Sequence, residues 1–126
     1  MPLTFHPSPG AILIGDYGHG APHQPPEMMK VRPVVVISPR RRTSQIVTVI
    51  PLSSAAPEPL QPWHHHLSTG AYPPARGPMW AKCDMVAAVS LGRLDRVKHG
   101  GAFQAYQMPA ADLAGILAGV RAALGL

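Results

Sequence analysis

Proline and glycine are spread along the chain and divide it into short apolar segments. Sixteen of the 126 residues are proline and twelve are glycine. Because both residue types interrupt regular elements, apolar runs of four to eight residues between them are typical of β-strands. The sequence predicts a mainly β protein with strands at 11–16, 32–38, 45–52, 63–67, 79–84 and 85–91. The unbroken run from Val34 to Ile37 predicts a central strand that is covered on both faces.

The end of the chain changes to helical periodicity. From Pro109 onwards, apolar residues recur at intervals of three and four: Leu113, Ile116, Leu117, Val120 and Leu124. Pro109 suits the first turn of a helix, and Asp112 lies where a carboxylate interacts favourably with the helix dipole, so no further role is expected of it. Gly115 and Gly119 lower helix propensity and predict close packing of the helix on the sheet or on a second subunit.

Length and charge limit the function classes. The 126 residues fit one domain, 1–126, and a net charge of +5 with a pI near 10.0 favours polyanionic partners such as nucleic acid or an acidic peptide. One cysteine excludes an intrachain disulfide, and no apolar run approaches the roughly 20 residues of a membrane helix. We therefore expect a cytoplasmic protein without membrane contact.

Few residues could act as a general base. The chain has six carboxylates, of which Asp112, Asp95 and Glu58 have simple positional explanations. Asp95, for example, lies between Arg93 and Arg96 and is most simply a surface ion-pair partner. The candidates that remain are Asp16, Glu27 and Asp84.

Two places could hold a phosphate group. Arg32 opens the most hydrophobic strand and follows Glu27 by five residues, so the two form either a structural ion pair or a charged site beside a loop. Ser53 and Ser54 end another strand, where their hydroxyls serve a turn or donate to phosphate.

A second cluster surrounds the single cysteine. Strand alternation puts Lys82 and Asp84 on the face opposite Cys83. This arrangement indicates either a cross-face ion pair or a phosphate-binding cation beside an acid or base. Cys83 is expected to be a buried structural residue.

The run of three histidines and the glycine pattern do not indicate a metal site or a nucleotide site. Adjacent residues of a strand point to opposite faces, so His64, His65 and His66 cannot all reach one ion. No glycine-rich phosphate loop follows a strand and opens a helix. We therefore predict no metal and no cofactor. Arg40, in the Arg40-Arg41-Arg42 run between two strands, is either a solvated loop residue or an RNA-backbone contact.

Several of these segments together resemble one family. In order they are PGAILIGDY, then Glu27 five residues before Arg32 in EMMKVRPVVVIS, then VIPLSS, then Ala81-Lys82-Cys83-Asp84. The shared order over residues 9–124 resembles the MazF/PemK toxins of type II toxin–antitoxin systems.

The resemblance implies both a fold and an activity. The implied fold is a strongly bent antiparallel sheet of SH3-like barrel type, shared with CcdB, with the terminal helix packed on it and a homodimeric assembly. The implied activity is sequence-specific, metal-independent cleavage of single-stranded RNA, by attack of the ribose 2′-OH on the adjacent phosphate. The implied partner is an acidic antitoxin.

The resemblance also implies residue roles. Arg32 would stabilise the phosphate charge, with the role of proton donor as a further alternative, and Ser53 would donate to a phosphate oxygen. Glu27 or Asp84 would be the base. Lys82 would bind RNA, together with four further residues: Ser54, Lys30, Arg40 and His23. The chain departs from the family's pattern in a longer first loop, with Pro26 directly before Glu27 and His23 displaced.

Two other functions remain open at this level. A toxin like CcdB poisons DNA gyrase without cutting RNA, and an inactive relative would only bind nucleic acid. The combination of Glu27, Arg32 and Ser53 weighs against a pure gyrase-binding protein, because such a protein needs no phosphate site.

Overall fold

The computed structural model describes residues 3–17 and 31–126. These residues form nine strands, one short 3₁₀ turn at Leu91–Arg93 and one α-helix. The strands are β1 (Ala11–Asp16), β2 (Val31–Val36), β3 (Ile46–Ser53), β4 (His64–His66), β5 (Trp80–Lys82), β6 (Ala87–Ser90), β7 (Leu94–His99), β8 (Ala102–Gln104) and β9 (Tyr106–Gln107). The helix α1 spans Ala110–Leu124. No helix of this described part is long and apolar enough to cross a membrane.

All six predicted strands are present, with shorter bounds near the cysteine. Cys83 and Asp84 lie in a turn, which the Met85 N–H closes by donating to the Lys82 carbonyl at 3.0 Å. The prediction of one continuous strand over 79–84 is therefore wrong, and β5 ends at Lys82.

Three strands were not predicted. β7 and β8 form a hairpin with His99 opposite Ala102, and its two loop residues, Gly100 and Gly101, have φ of 64° and 81°. Two consecutive residues with positive φ are typical of tight hairpin turns, and glycine adopts that conformation without steric cost. β9 is a two-residue strand that pairs with β1.

The sheet bends because two of its strands change partners along their length. All pairings are antiparallel, in the order β4-β5-β3-β2-β1-β7-β8. The first half of β3 pairs with β6 and its last two residues pair with β5. Similarly, β1 pairs first with β9 and then with β7. The predicted mainly β fold, a strongly bent antiparallel sheet with a C-terminal helix, is confirmed.

The central strands are buried on both faces, as predicted for β2. Val34, Val35 and Val36 are fully buried. Val35 packs in a cluster with Ile116 of the helix, while Val34 and Val36 pack in a second cluster on the opposite face. We call these the helix face and the open face of the sheet.

The helix docks closely on the sheet through its glycines. Pro109 is the N-cap residue, one position before the first turn in which it was expected, and Gly125 ends the helix with φ of 72°. A Cβ atom at Gly119 would lie 2.6 Å from the Trp63 carbonyl oxygen and 2.8 Å from Cys83 Sγ. A Cβ atom at Gly115 would clash with the His65 ring. The predicted close packing of these glycines is confirmed, and the sheet is what they contact.

Gly119→Ala is expected to lower the free energy of unfolding, by about 1 to 3 kcal/mol, because the added methyl group meets a backbone oxygen that cannot easily move. Helix propensity alone would predict stabilisation of about 1 kcal/mol, so the sign of the change separates the two effects. Urea unfolding measures it. Gly77→Ala is the matched control, because a Cβ there meets no atom within 4 Å, and a variant as stable as this control would contradict the packing argument.

Candidate active site

Arg32 and Ser53 lie on the same face of adjacent strands, near one end of the open face. The β2–β3 pairing ends with Val34 opposite Pro51, and Arg32 and Ser53 each lie two residues beyond this pair. On the other side of β2, Arg32 pairs with Gly15 of β1. Cross-strand partners share a face, so both side chains are on the face of Val34.

Both side chains are poorly exposed. Arg32 is half-buried, and its Nε has no hydrogen-bond partner among the described residues. Ser53 is 2% exposed, and its Oγ accepts the Ala55 N–H at 3.2 Å. This bond uses an Oγ lone pair, so it does not engage the hydroxyl hydrogen. The Arg32 guanidinium and the Ser53 hydroxyl, on the same face, can both donate hydrogen bonds to an anionic oxygen.

Lys82 and Asp84 lie at the end of β5, the strand that pairs with β3 at Ser53. Lys82 is half-buried and pairs with His64 of β4, whose Nε2 lies 3.9 Å from Asp84 Oδ1. The Asp84 side chain is 45% exposed. Cys83 and Asp84 lie in a turn and not in the strand, yet Asp84 lies near His64, the cross-strand partner of Lys82, while Cys83 packs against the helix at Gly119.

Cys83 is buried, as predicted. Burial, aided by the nearby Asp84 charge, raises the pKa of its thiol to about 12 despite a hydrogen bond from the His65 backbone. Because the thiolate is the nucleophilic form, this cysteine is unreactive at neutral pH.

The three consecutive histidines have separate surroundings. His66 stacks on Trp80 with ring centroids 4.7 Å apart, and His64 faces Asp84. His65 points the other way, to the helix, as strand alternation requires. The described residues contain no group of three or more side chains that could hold a metal ion.

Asp112 has a structural role that was not expected. It is 4% exposed and accepts hydrogen bonds from His65 Nε2 at 2.8 Å, from the Ser68 N–H at 3.0 Å and from the Ser68 hydroxyl. Burial alone would raise the pKa of its carboxyl, but these bonds outweigh burial and hold the pKa below its ordinary value. The assignment of Asp112 to the helix dipole alone is wrong, because it also fastens α1 to β4.

The remaining predicted residues lie apart from Arg32 or outside the described chain. Ser54 follows Ser53 and is exposed. Arg40 is exposed in the β2–β3 connection, at the opposite end of β2, so the structure does not bring it to Arg32. Three predicted residues lie outside the described residues: Glu27, Lys30 and His23.

Tyr17 is a site residue that the sequence did not suggest. It follows β1 and packs in the open-face cluster, and its hydroxyl is buried without a hydrogen-bond partner in the described residues. Burial raises its pKa to about 12, although the Arg32 charge acts in the opposite direction. Alternation from Gly15 puts Tyr17 on the face of Arg32, but only once the β1–β2 register is known. Asp16 alternates with both residues and therefore belongs to the other face.

Comparisons with known proteins agree on one family. A family model described as "PemK-like, MazF-like toxin of type II toxin-antitoxin system" matches residues 8–122. No curated protein sequence matched the chain.

Solved structures of similar fold include MazF from Deinococcus radiodurans, with 19% identity and a TM-score of 0.70, covering 97% of this chain and 99% of that chain. An endoribonuclease in complex with its cognate antitoxin, from a Mycobacterial species, has 18% identity and a TM-score of 0.66, with 95% and 96% covered. The Mycobacterium tuberculosis toxin MazF-mt6 has 17% identity and a TM-score of 0.64, with 92% and 97% covered. These similarities confirm the predicted fold type, and the match over 8–122 shows that the chain belongs to the PemK-like and MazF-like toxin family of type II toxin–antitoxin systems.

Proposed function

We propose that this chain is a toxin that cuts single-stranded RNA at a specific short sequence without a metal ion. The observation that carries the proposal is that Arg32 and Ser53 lie on the same face of adjacent strands, each two residues beyond the last β2–β3 pair, with the Arg32 Nε buried and unpaired in the described residues. A buried donor of this kind is costly unless a ligand uses it. Solved relatives of the same fold described as endoribonucleases support the reaction class.

The proposed reaction is an internal transfer within the RNA. The ribose 2′-oxygen forms a bond to the adjacent phosphorus while the bond from phosphorus to the 5′-oxygen breaks. A base takes the 2′-OH proton, and the departing oxygen gains a proton, which leaves a 2′,3′-cyclic phosphate and a 5′-OH. The negative charge of the phosphorane needs fixed donors.

The described residues supply those donors. The Arg32 guanidinium offers a planar fork of donors to two phosphate oxygens. Ser53 would donate its hydroxyl hydrogen to the same group. Because these groups can meet the phosphorane charge, we propose that the reaction does not depend on a metal. Asp84 and Glu27 are the candidate bases, and only Asp84 is among the described residues.

The RNA strand would continue from Ser53 towards β4. Lys82 and the exposed Ser54 offer donors to phosphate, and the His66–Trp80 stack offers an aromatic surface. Unstacked bases of a single strand bind such surfaces, whereas bases in a duplex are not accessible to them. Lys30 and His23 would add contacts before β2. Arg40 could reach only a distant part of the same RNA.

The proposed partners follow from charge and from the relatives. A net charge of +5 suits RNA and an acidic antitoxin, and solved relatives include complexes with a cognate antitoxin and with MazE. We also propose that the chain forms one domain, assembles as a homodimer and acts in the cytoplasm.

Cleavage of a long single-stranded RNA in excess EDTA tests the proposed function. Discrete fragments are expected, and their 5′ ends should accept a label from polynucleotide kinase without prior phosphatase treatment. Sequencing of these ends should reveal a shared short motif at the cut. Intact RNA across several substrates would contradict the proposal, while cleavage that stops in EDTA would contradict its metal independence.

A further inference from the structure

Tyr17 and Arg32 lie on the same face of the sheet at the end of the central strands. Gly15 pairs directly with Arg32, and Tyr17 lies two residues further along the chain on the same face. A Cβ atom at Gly15 would lie 3.1 Å from a Val34 methyl group, which is a tight contact. Because Gly15 has no side chain, Tyr17 is the next residue after Leu13 to place a side chain on this face.

Two polar atoms at this place have no hydrogen-bond partner in the part of the chain that the structure describes. The Tyr17 hydroxyl and the Arg32 Nε are both buried and make no hydrogen bond within residues 3–17 and 31–126. Buried polar groups are nearly always paired, since an unpaired one keeps its desolvation cost without compensation. Two such atoms on adjacent strands indicate a place shaped for a ligand.

The chemistry of the two groups defines that ligand. A guanidinium has donors only, so it cannot accept a hydrogen bond from the tyrosine. Burial raises the pKa of Tyr17 to about 12 against the opposing effect of the Arg32 charge, so the hydroxyl keeps its proton at neutral pH. A ligand that satisfies both must therefore present acceptor oxygens, and preferably negative charge, as a phosphodiester does.

We propose that the Tyr17 hydroxyl donates a hydrogen bond to a non-bridging oxygen of the scissile phosphate, beside Arg32. This inference rests on the proposed function and adds a catalytic residue to it. Tyr17 keeps its proton throughout, so the bonds that form and break, and the transfer of protons to and from the ribose oxygens, are unchanged. Its contribution is to stabilise the charge that develops on the phosphorane.

Tyr17→Phe tests the inference, because it removes one oxygen and keeps the ring. Single-turnover cleavage at saturating RNA is expected to slow about 10- to 100-fold, as for loss of one hydrogen bond to a charged group. The pH dependence of that rate should keep its shape, since Tyr17 does not transfer a proton. The midpoint of thermal unfolding should stay the same or rise, because an unpaired buried hydroxyl is gone.

Tyr106→Phe is the matched control. Tyr106 is half-buried and packs on the helix face, where it contacts Tyr72 edge to face. The Tyr106→Phe variant also loses one hydroxyl group, but its cleavage rate should equal that of the wild type.

The outcomes separate the two proposals. Wild-type protein that cuts RNA together with a Tyr17→Phe variant that cuts equally fast would overturn the role of Tyr17 and leave the proposed function standing. A slower variant with a changed pH profile would also overturn it, because it would make Tyr17 a proton-transferring group. Failure of the wild type to cut any RNA would overturn the proposed function, and the role of Tyr17 with it.

Discussion

Arg32→Ala is expected to slow RNA cleavage by about 10² to 10³-fold, the usual effect of removing a fixed donor from a developing oxyanion. Arg32 lies on the same face of the sheet as Ser53 of the neighbouring strand, and its Nε is unpaired in the described residues. The fold should not depend on the guanidinium for that reason. Single-turnover rates measure the loss, and circular dichroism checks the fold.

Two further variants sharpen this prediction. Arg121→Ala removes the same charge from an exposed position in the last turn of α1, so it should cut RNA at the wild-type rate. Arg32→Lys keeps the charge but loses the fork, and should recover only part of the activity. Equal activity of Arg32→Ala and Arg121→Ala would remove Arg32 from the site.

Asp112→Ala should lower the free energy of unfolding by about 1 to 3 kcal/mol, because it leaves two donors of Ser68 and the half-buried His65 ring without their buried, charged acceptor. For a chain of this size the thermal midpoint should fall on the order of 10 °C. Ser68→Ala, which removes one of the three donors, should cost only about 1 kcal/mol. Equal stability of Asp112→Ala and the wild type would contradict the fastening role.

The Asp112 carboxylate also makes the free energy of unfolding depend on pH. The pKa of Asp112 is lowered in the folded state, so its contribution is present above the unfolded value near 4 and is lost as pH falls through the folded value. Urea unfolding between pH 7 and pH 3 should show a loss of stability below about pH 4. In the Asp112→Ala variant, the free energy of unfolding should fall less between pH 7 and pH 3 than in the wild type. An equally large fall would show that other groups cause the pH dependence.

Proline and glycine positions and apolar runs predicted most of the strands, because the length and burial of a strand depend on residues that are close in sequence. Proline and glycine positions limit strand lengths, and the apolar run of β2 requires cover on both faces. The β7–β8 hairpin had an equally local signal in Gly100-Gly101, but three of the six β7 residues are charged, so the segment has no apolar run.

The site could not be predicted in the same way, because it depends on strand register. Nothing in the order of residues states that Arg32 pairs with Gly15 and shares a face with Ser53, or that Asp112 contacts His65, 47 positions away. The roles of Arg32 and Ser53 came from family resemblance, while Tyr17 emerged only from the pairing of β1 with β2. The strand predicted to reach Asp84 was too long because a turn at Cys83 and Asp84 ends β5 at Lys82, although Asp84 still lies near His64, the cross-strand partner of Lys82.

Because the last two residues of β3 pair with β5 instead of β6, strand pairings connect helix α1 to the proposed phosphate site at Arg32 and Ser53. One transverse row of the sheet runs from His65 through Ala81 to Leu52, the neighbour of Ser53. His65 is held by Asp112 of α1, so the row begins at the helix and ends beside the proposed phosphate site. A displacement of the C-terminal helix would therefore be transmitted to Leu52, and through the backbone to Ser53, by only two strand pairings, although the helix and the Ser53 side chain lie on opposite faces of the sheet.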